Sequence, residues 1–157
     1  MITHGSLFTG IGSFDLAFER SIPATPVWQV EIDPYCRQVL SKHWPTIRRH
    51  EDVRTFNTEV KPTIISAGFP CQGFSQAGKG EGLADDRSGL WWEVHRITRE
   101  LRPRLLCLEN SPILPLRGLD TILGSLAEIG YNAEWTCISA EQCGAPHIRK
   151  RTFIVAY

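Results

Sequence analysis

Short apolar runs alternate along the chain with stretches whose apolar residues recur at helical spacing, and this alternation predicts an α/β fold. Strand-like runs are Ser6 to Phe8, Val27 to Val30, Thr63 to Ala67, Leu105 to Leu108, Ala133 to Ile138 and Thr152 to Ala156. Several are apolar throughout, as interior strands of a parallel sheet are. A helical pattern covers Phe14 to Arg20. A second helix is expected from Asp33, its N-cap, with Pro34 at the first helical position, to about His43, burying Tyr35, Val39 and Leu40. Leu90, Val94, Ile97 and Leu101 share one face of a third, which Pro103 closes. Leu119, Ile122, Leu123, Leu126 and Ile129 repeat the pattern, with Gly130 placed to end the helix in the left-handed conformation. Pro70 to Ser88 has no periodicity and carries Gly73, Gly78, Gly80 and Gly82. Because it starts directly after a strand, it reads as a mobile active-site loop rather than a linker.

Composition narrows the class without naming a chemistry. A chain of 157 residues is sized for a single domain, 1–157, with one core. No apolar run approaches the ~18 residues a membrane span needs, and no secretory pattern opens the sequence, so an intracellular, cytoplasmic protein is expected. Five scattered cysteines without a C-x-x-C pair predict reduced thiols and no metal site. Lys plus Arg equals Asp plus Glu at 17 each, so any grip on nucleic acid must come from local clusters. Clusters at 42–54 and 96–104 read as solvated faces, whereas His147 to Arg151 reads as part of a site.

Two groups of residues carry candidate chemistry. After the first strand, Phe8, Gly10 and Gly12 form a turn into a helix, where backbone can approach a ligand closely. Asp15 occupies the position of the third glycine of the dinucleotide fingerprint, which argues against NAD. Glu31 ends the second strand, where a carboxylate can accept from ribose hydroxyls, and Asp52 follows the third strand region similarly. Capping of helices or turns is the plainer role for both.

The second group is catalytic in character. Cys71, between Pro70 and Gln72 at the end of the fourth strand, is a poor core residue and a good nucleophile once a nearby positive charge or base favours its thiolate. Glu109, with Asn110, ends a strand so apolar that its carboxyl should be partly desolvated and its pKa raised, which suits protonation of a ring nitrogen. Arg149 and Arg151 place two guanidinium forks just before the last strand.

In these signatures, Phe8-x-Gly10-x-Gly12, Gly68-Phe69-Pro70-Cys71-Gln72, Glu109-Asn110 and Arg149-x-Arg151, the chain resembles the cytosine carbon-5 DNA methyltransferases, in the family's order and over essentially its whole length. The resemblance implies a Rossmann-like S-adenosylmethionine-dependent methyltransferase fold, mostly parallel, with an antiparallel strand near the C-terminus. It implies that Cys71 adds to carbon 6 of a flipped cytosine while Glu109 holds ring nitrogen 3 and the exocyclic amine. Arg151, with Arg149, would take the base carbonyl. It further implies that Phe8, Gly10, Gly12, Glu31, Ile32, Asp52, Val53 and Pro70 bind S-adenosylmethionine, with S-adenosylhomocysteine as product. Gln72, Ser75, Arg87 and Asn110 would meet DNA. Flipping the base costs a few kcal/mol, which closure of the loop after Cys71 would offset.

Ser111 stands where the family usually has valine, and His147 where a glutamine is common. The family's target-recognition region and two later motifs are not in the sequence. A fragment, a split enzyme with a second polypeptide for target recognition, and a minimal enzyme are all open at this level. So is an S-adenosylmethionine-binding module with little activity alone. Methylation of transfer RNA by a sister branch lacks support, because its Cys-Phe-Thr signature is missing. A hydrolase pairing Cys71 with His95 or His147 would leave Glu31, Glu109 and the two arginines unexplained.

Overall fold

The computed structural model describes residues 1–70 and 89–157, so Cys71, Gln72, Ser75 and Arg87 lie outside the described residues. The strands are β1 (Thr3–Leu7), β2 (Thr25–Val30), β3 (Arg48–His50), β4 (Ile64–Ala67), β5 (Leu105–Asn110), β6 (Ala133–Ser139) and β7 (Lys150–Ala156). The helices are α1 (Ser13–Ser21), α2 (Pro34–His43), α3 (Gly89–Leu101), α4 (Leu114–Arg117) and α5 (Leu119–Glu128). One sheet takes all these strands in the order β3-β2-β1-β4-β5-β7-β6. β7 alone is antiparallel to its neighbours. The predicted α/β fold, mostly parallel with a reversed strand near the C-terminus, is therefore the observed one.

The two faces of the sheet differ in chemistry. Leu7, Ile65, Leu106, Leu108 and Ile154 are buried with Val94 and Ile97 of α3 and Ile122 and Leu126 of α5 in one apolar core. On the opposite face, under α1, lie His4, Ser66 and Gln29. His4 meets Ser66 at 2.8 Å, and Gln29 donates to Asp15 of α1 at 3.0 Å. β5 shows the asymmetry directly, because Leu106, Leu108 and Asn110 are buried whereas Leu105, Cys107 and Glu109 are only partly so. Register places Val155 beside Cys107 and Phe153 beside Glu109 on that second face. Val155 on this face remains 39% exposed. A run that reads as buried on both faces is thus fully covered on one.

Most helices follow their sequence signals. Asp33 caps α2 by accepting from the Cys36 amide at 2.9 Å, with Pro34 in the first turn. Gly130 (φ +84) follows α5 and donates to the Ala127 carbonyl at 2.9 Å. The expected stripe on α2 needs correction, since Tyr35 is 69% exposed, Val39 is half-buried and only Leu40 is fully buried. Tyr35 and Leu40 are five residues apart, about 140° around the helix, so they cannot share a narrow stripe. Arg37 and Cys36, three and four residues before Leu40, take the inward positions and are partly buried.

Candidate active site

The described residues expected to bind ligand sit at one edge of the sheet, where β1 to β5 end and β7 begins. β1 stops at Leu7 because Phe8, expected as its last residue, adopts φ +52 and turns the chain. Thr9 locks that turn to β2, its amide and its hydroxyl both donating to the Val30 carbonyl at 3.1 Å. Gly12 leads into α1 with φ +91, and a Cβ there would run into the Trp44 ring. Both the left-handed backbone and the close approach require glycine.

Two cavities open on this edge, and Phe8 lines both. The larger, about 640 Å³, is lined by Gly10, Phe14, Glu109, Arg149, Arg151 and Phe153, among others. The smaller, about 140 Å³, is bounded by Ile32, Asp52, Val53, Pro70 and Leu90. Glu31 holds the rims together: one carboxylate oxygen accepts from the Gly10 amide at 2.7 Å and the other from the Asp33 amide at 2.8 Å. A carboxylate offers about four lone-pair sites, so each oxygen keeps one for a hydroxyl. Asp52 accepts from the Arg54 amide at 2.9 Å, consistent with a turn-capping role beside its place in the smaller cavity.

On the catalytic side, Glu109 lies inside β5 rather than beyond its end, and Oε1 pairs with Nε of Arg151 at 2.8 Å. Both side chains are more than two-thirds buried. The carboxyl expected to be partly desolvated is largely buried, and a guanidinium faces it. Gly68 leaves room beside this pair, since a Cβ there would stand 3.4 Å from Oε2 of Glu109. Arg149 is exposed and lines the larger cavity, with no side-chain partner among the described residues.

Asn110 differs from the reading that sends it to DNA. It is buried, its amide nitrogen donates to the Phe69 carbonyl at 3.0 Å, and its oxygen accepts from the Ser111 amide at 2.7 Å. An amide with both ends bound to its own backbone fixes the chain just ahead of Pro70 and Cys71. Of the described cysteines, Cys107 is a poor nucleophile because burial pushes its thiol up to about 11. Among the described residues, no group of three or more His, Cys, Asp or Glu is arranged to hold a metal ion, and no helix is long and apolar enough to cross a membrane.

Pattern reading missed two arginines. Arg37 binds the carbonyls of Glu31 and Ile32, and Arg96, within a cluster read as a solvated face, donates to the carbonyls of Val53 and Phe56 at 3.2 Å. Only the i, i+3 and i, i+4 spacing of Arg96 to Glu93 and Glu100 was visible, and that marks pairing on a helix, not contact with another turn.

A family model described as C-5 cytosine-specific DNA methylase matches residues 2–157. The chain belongs to that family. Similar C-5 cytosine methylases include the type II methyltransferase M2.BsuMI of Bacillus subtilis (strain 168), 32% identical over 96% of this chain and 41% of that protein. Type II methyltransferase M.CviJI of Paramecium bursaria Chlorella virus IL3A is 38% identical over 96% of this chain and 41% of its own length. The chain thus spans about two-fifths of the curated relatives it matches. Among solved structures, the S. pombe Dnmt2 methyltransferase superposes with a TM-score of 0.84 at 21% identity, covering 99% of this chain and 50% of that one. A putative DNA modification methyltransferase of an Escherichia coli prophage gives 0.82 at 25% identity, over 99% and 46%.

Proposed function

We propose that this chain is a single catalytic domain, residues 1–157, that methylates carbon 5 of cytosine in DNA with S-adenosylmethionine as donor. The observation that carries the reading is the shared cavity: the glycine turn at Phe8 and the Glu109–Arg151 pair line one space, beside Gly68 at the root of the Cys71 segment. The residues fit the donor. Phe8, Ile32, Val53 and Pro70 offer apolar surface for an adenine, Glu31 and Asp52 offer acceptors for ribose hydroxyls, and Gly10 and Gly12 leave backbone open. When bound, S-adenosylmethionine supplies an electrophilic methyl group.

The chain's own residues do the rest. The Cys71 thiolate adds to carbon 6 of a flipped cytosine, while Glu109 bonds nitrogen 3 and the exocyclic amine, making carbon 5 nucleophilic. Arg151 is already oriented by Glu109, and with Arg149 it takes the base carbonyl. Loss of the carbon-5 proton then releases the thiol. Gln72, Ser75 and Arg87 contact DNA, whereas Asn110 serves by fixing the backbone at Phe69. The protein works in the cytoplasm, on DNA.

A second reading is favoured by the sheet face at Val155, which is 39% exposed and leaves apolar surface for further polypeptide. Here the chain binds S-adenosylmethionine but is nearly inactive until further polypeptide supplies target recognition. Labelled methyl transfer to cytosine-containing duplexes separates the two. Activity in the unmodified chain, abolished in Cys71→Ala and reduced by about 10²–10⁴ in Glu109→Gln, supports the enzyme. Cofactor binding with transfer no greater than that of Cys71→Ala supports the module.

A further inference from the structure

We propose that Arg37 is a positioning residue for the cofactor: its guanidinium holds the tips of β2 and β3 at the spacing that the nucleoside end of S-adenosylmethionine requires. The inference rests on the cofactor reading above. From the sequence Arg37 is one polar residue among several on α2. In the structure its side chain is only 22% exposed, and Nη1 donates to the Glu31 carbonyl at 3.0 Å and to the Ile32 carbonyl at 2.7 Å. Nη2 pairs with Glu51 at 2.9 Å, one residue before Asp52.

These carbonyls need an outside partner. The β2–β3 ladder ends at Val30 opposite His50, and the last bond between the strands there is the Glu31 amide on the His50 carbonyl at 3.0 Å. Ile32 is 64% exposed and lines the smaller cavity, so packing does not fix its backbone. A planar fork can satisfy two carbonyls and a carboxylate together, which the single ammonium of a lysine cannot do with the same geometry. Glu51 is 74% exposed, so its pair with Arg37 contributes little by itself, and the carbonyl bonds carry the effect.

A loosened tip has to be ordered again on each binding event, which weakens affinity without changing the contacts made once bound. Chemistry at Glu109 belongs to the other cavity, so turnover at saturation should not respond.

The test uses the full chain with Arg37→Gln, Arg37→Lys and Glu51→Gln. Calorimetric titration with S-adenosylhomocysteine, thermal unfolding without ligand, and KM and kcat with S-adenosylmethionine are measured for each. Arg37→Gln should weaken S-adenosylhomocysteine by about tenfold, the scale of loss expected when the tip has to be ordered again on each binding event. Arg37→Lys should recover part of that loss, and Glu51→Gln should change affinity by less than about twofold. KM should rise in parallel while kcat and the unliganded melting temperature hold. Unchanged affinity in Arg37→Gln overturns the proposal, as does an affinity loss matched across all three variants by lower melting temperatures. Failure of the unmodified chain to bind S-adenosylhomocysteine sinks the cofactor reading itself, and it is recognised because no substitution is involved.

Discussion

His4 and Asp15 are fully buried beneath the glycine turn, 3.9 Å apart, each with one side-chain atom that has no hydrogen-bond partner among the described residues. Burial pushes the His4 imidazole down to about 4 from its ordinary 6.5, and burial raises the Asp15 carboxyl above its usual range. The signs oppose each other. Unfolded His4 takes up a proton below pH 6.5 while the folded chain does not until about 4, so this group removes stability as pH falls through that window. Folded Asp15 keeps its proton above the pH at which the unfolded chain loses it, so stability falls as pH rises toward its folded value. Asp15→Asn isolates the histidine: its urea midpoint should drop between pH 6.5 and 4.5, within a limit of about 3 kcal/mol. Asp15→Asn combined with His4→Gln should be flat there, and a slope persisting in the double variant would reject the assignment. For single residues, the sequence revealed type and position but not partner. Glu109 was legible as an acid at a strand tip, yet Arg151 as its counter-ion requires the β5–β7 register. Asn110 was legible as a neighbour of the site, but its inward bond to Phe69 crosses 41 positions of chain.

Among elements, α1 depends on one conformational demand. Gly12 joins the turn to the helix at φ +91, and Trp44, tied through its indole to Glu19 at 2.7 Å, occupies the space a side chain would need. Gly12→Ala should therefore cost about 2–4 kcal/mol, from left-handed strain and overpacking together. Denaturant midpoints check this, and a cost below about 1 kcal/mol would mean that the turn relaxes freely. Element order was legible because strongly periodic runs such as Leu90 to Leu101 bury what they predict. β3 was expected only as a strand region ahead of Asp52, because Arg48-Arg49-His50 carries the charges of an edge strand rather than an apolar run. Two features were not legible. α4 contains Pro115 and is only four residues long. In α2 an arginine turns inward to meet backbone, and a hydrophobic pattern cannot register that choice.

For the whole molecule, charge balance bears on the proposed contact with DNA. With Lys plus Arg equal to Asp plus Glu, affinity must come from the few cations at the ligand edge, including Arg149 and Lys150. Duplex binding should thus weaken with salt on a shallow slope, each neutralised phosphate contributing about −0.9 in log–log terms. Fluorescence anisotropy of Lys150→Gln should show a slope reduced by about one with sequence preference unchanged; an identical slope would place this lysine off the phosphates. The parallel core and its reversed strand were legible in the sequence, whereas the exposure of Val155 was not, because an apolar run does not say which of its faces is covered. The direction of β7 has a consequence of its own. Because it runs against its neighbours, its first residues meet the ligand edge, and Ile138 opposite Arg151 sets which side chain turns toward Glu109. Removing one residue between these paired positions advances the strand by half a pleat and swings the guanidinium to the apolar side. The β6–β7 connection thus acts as a reading frame, tolerant of substitution and intolerant of a change in length by one.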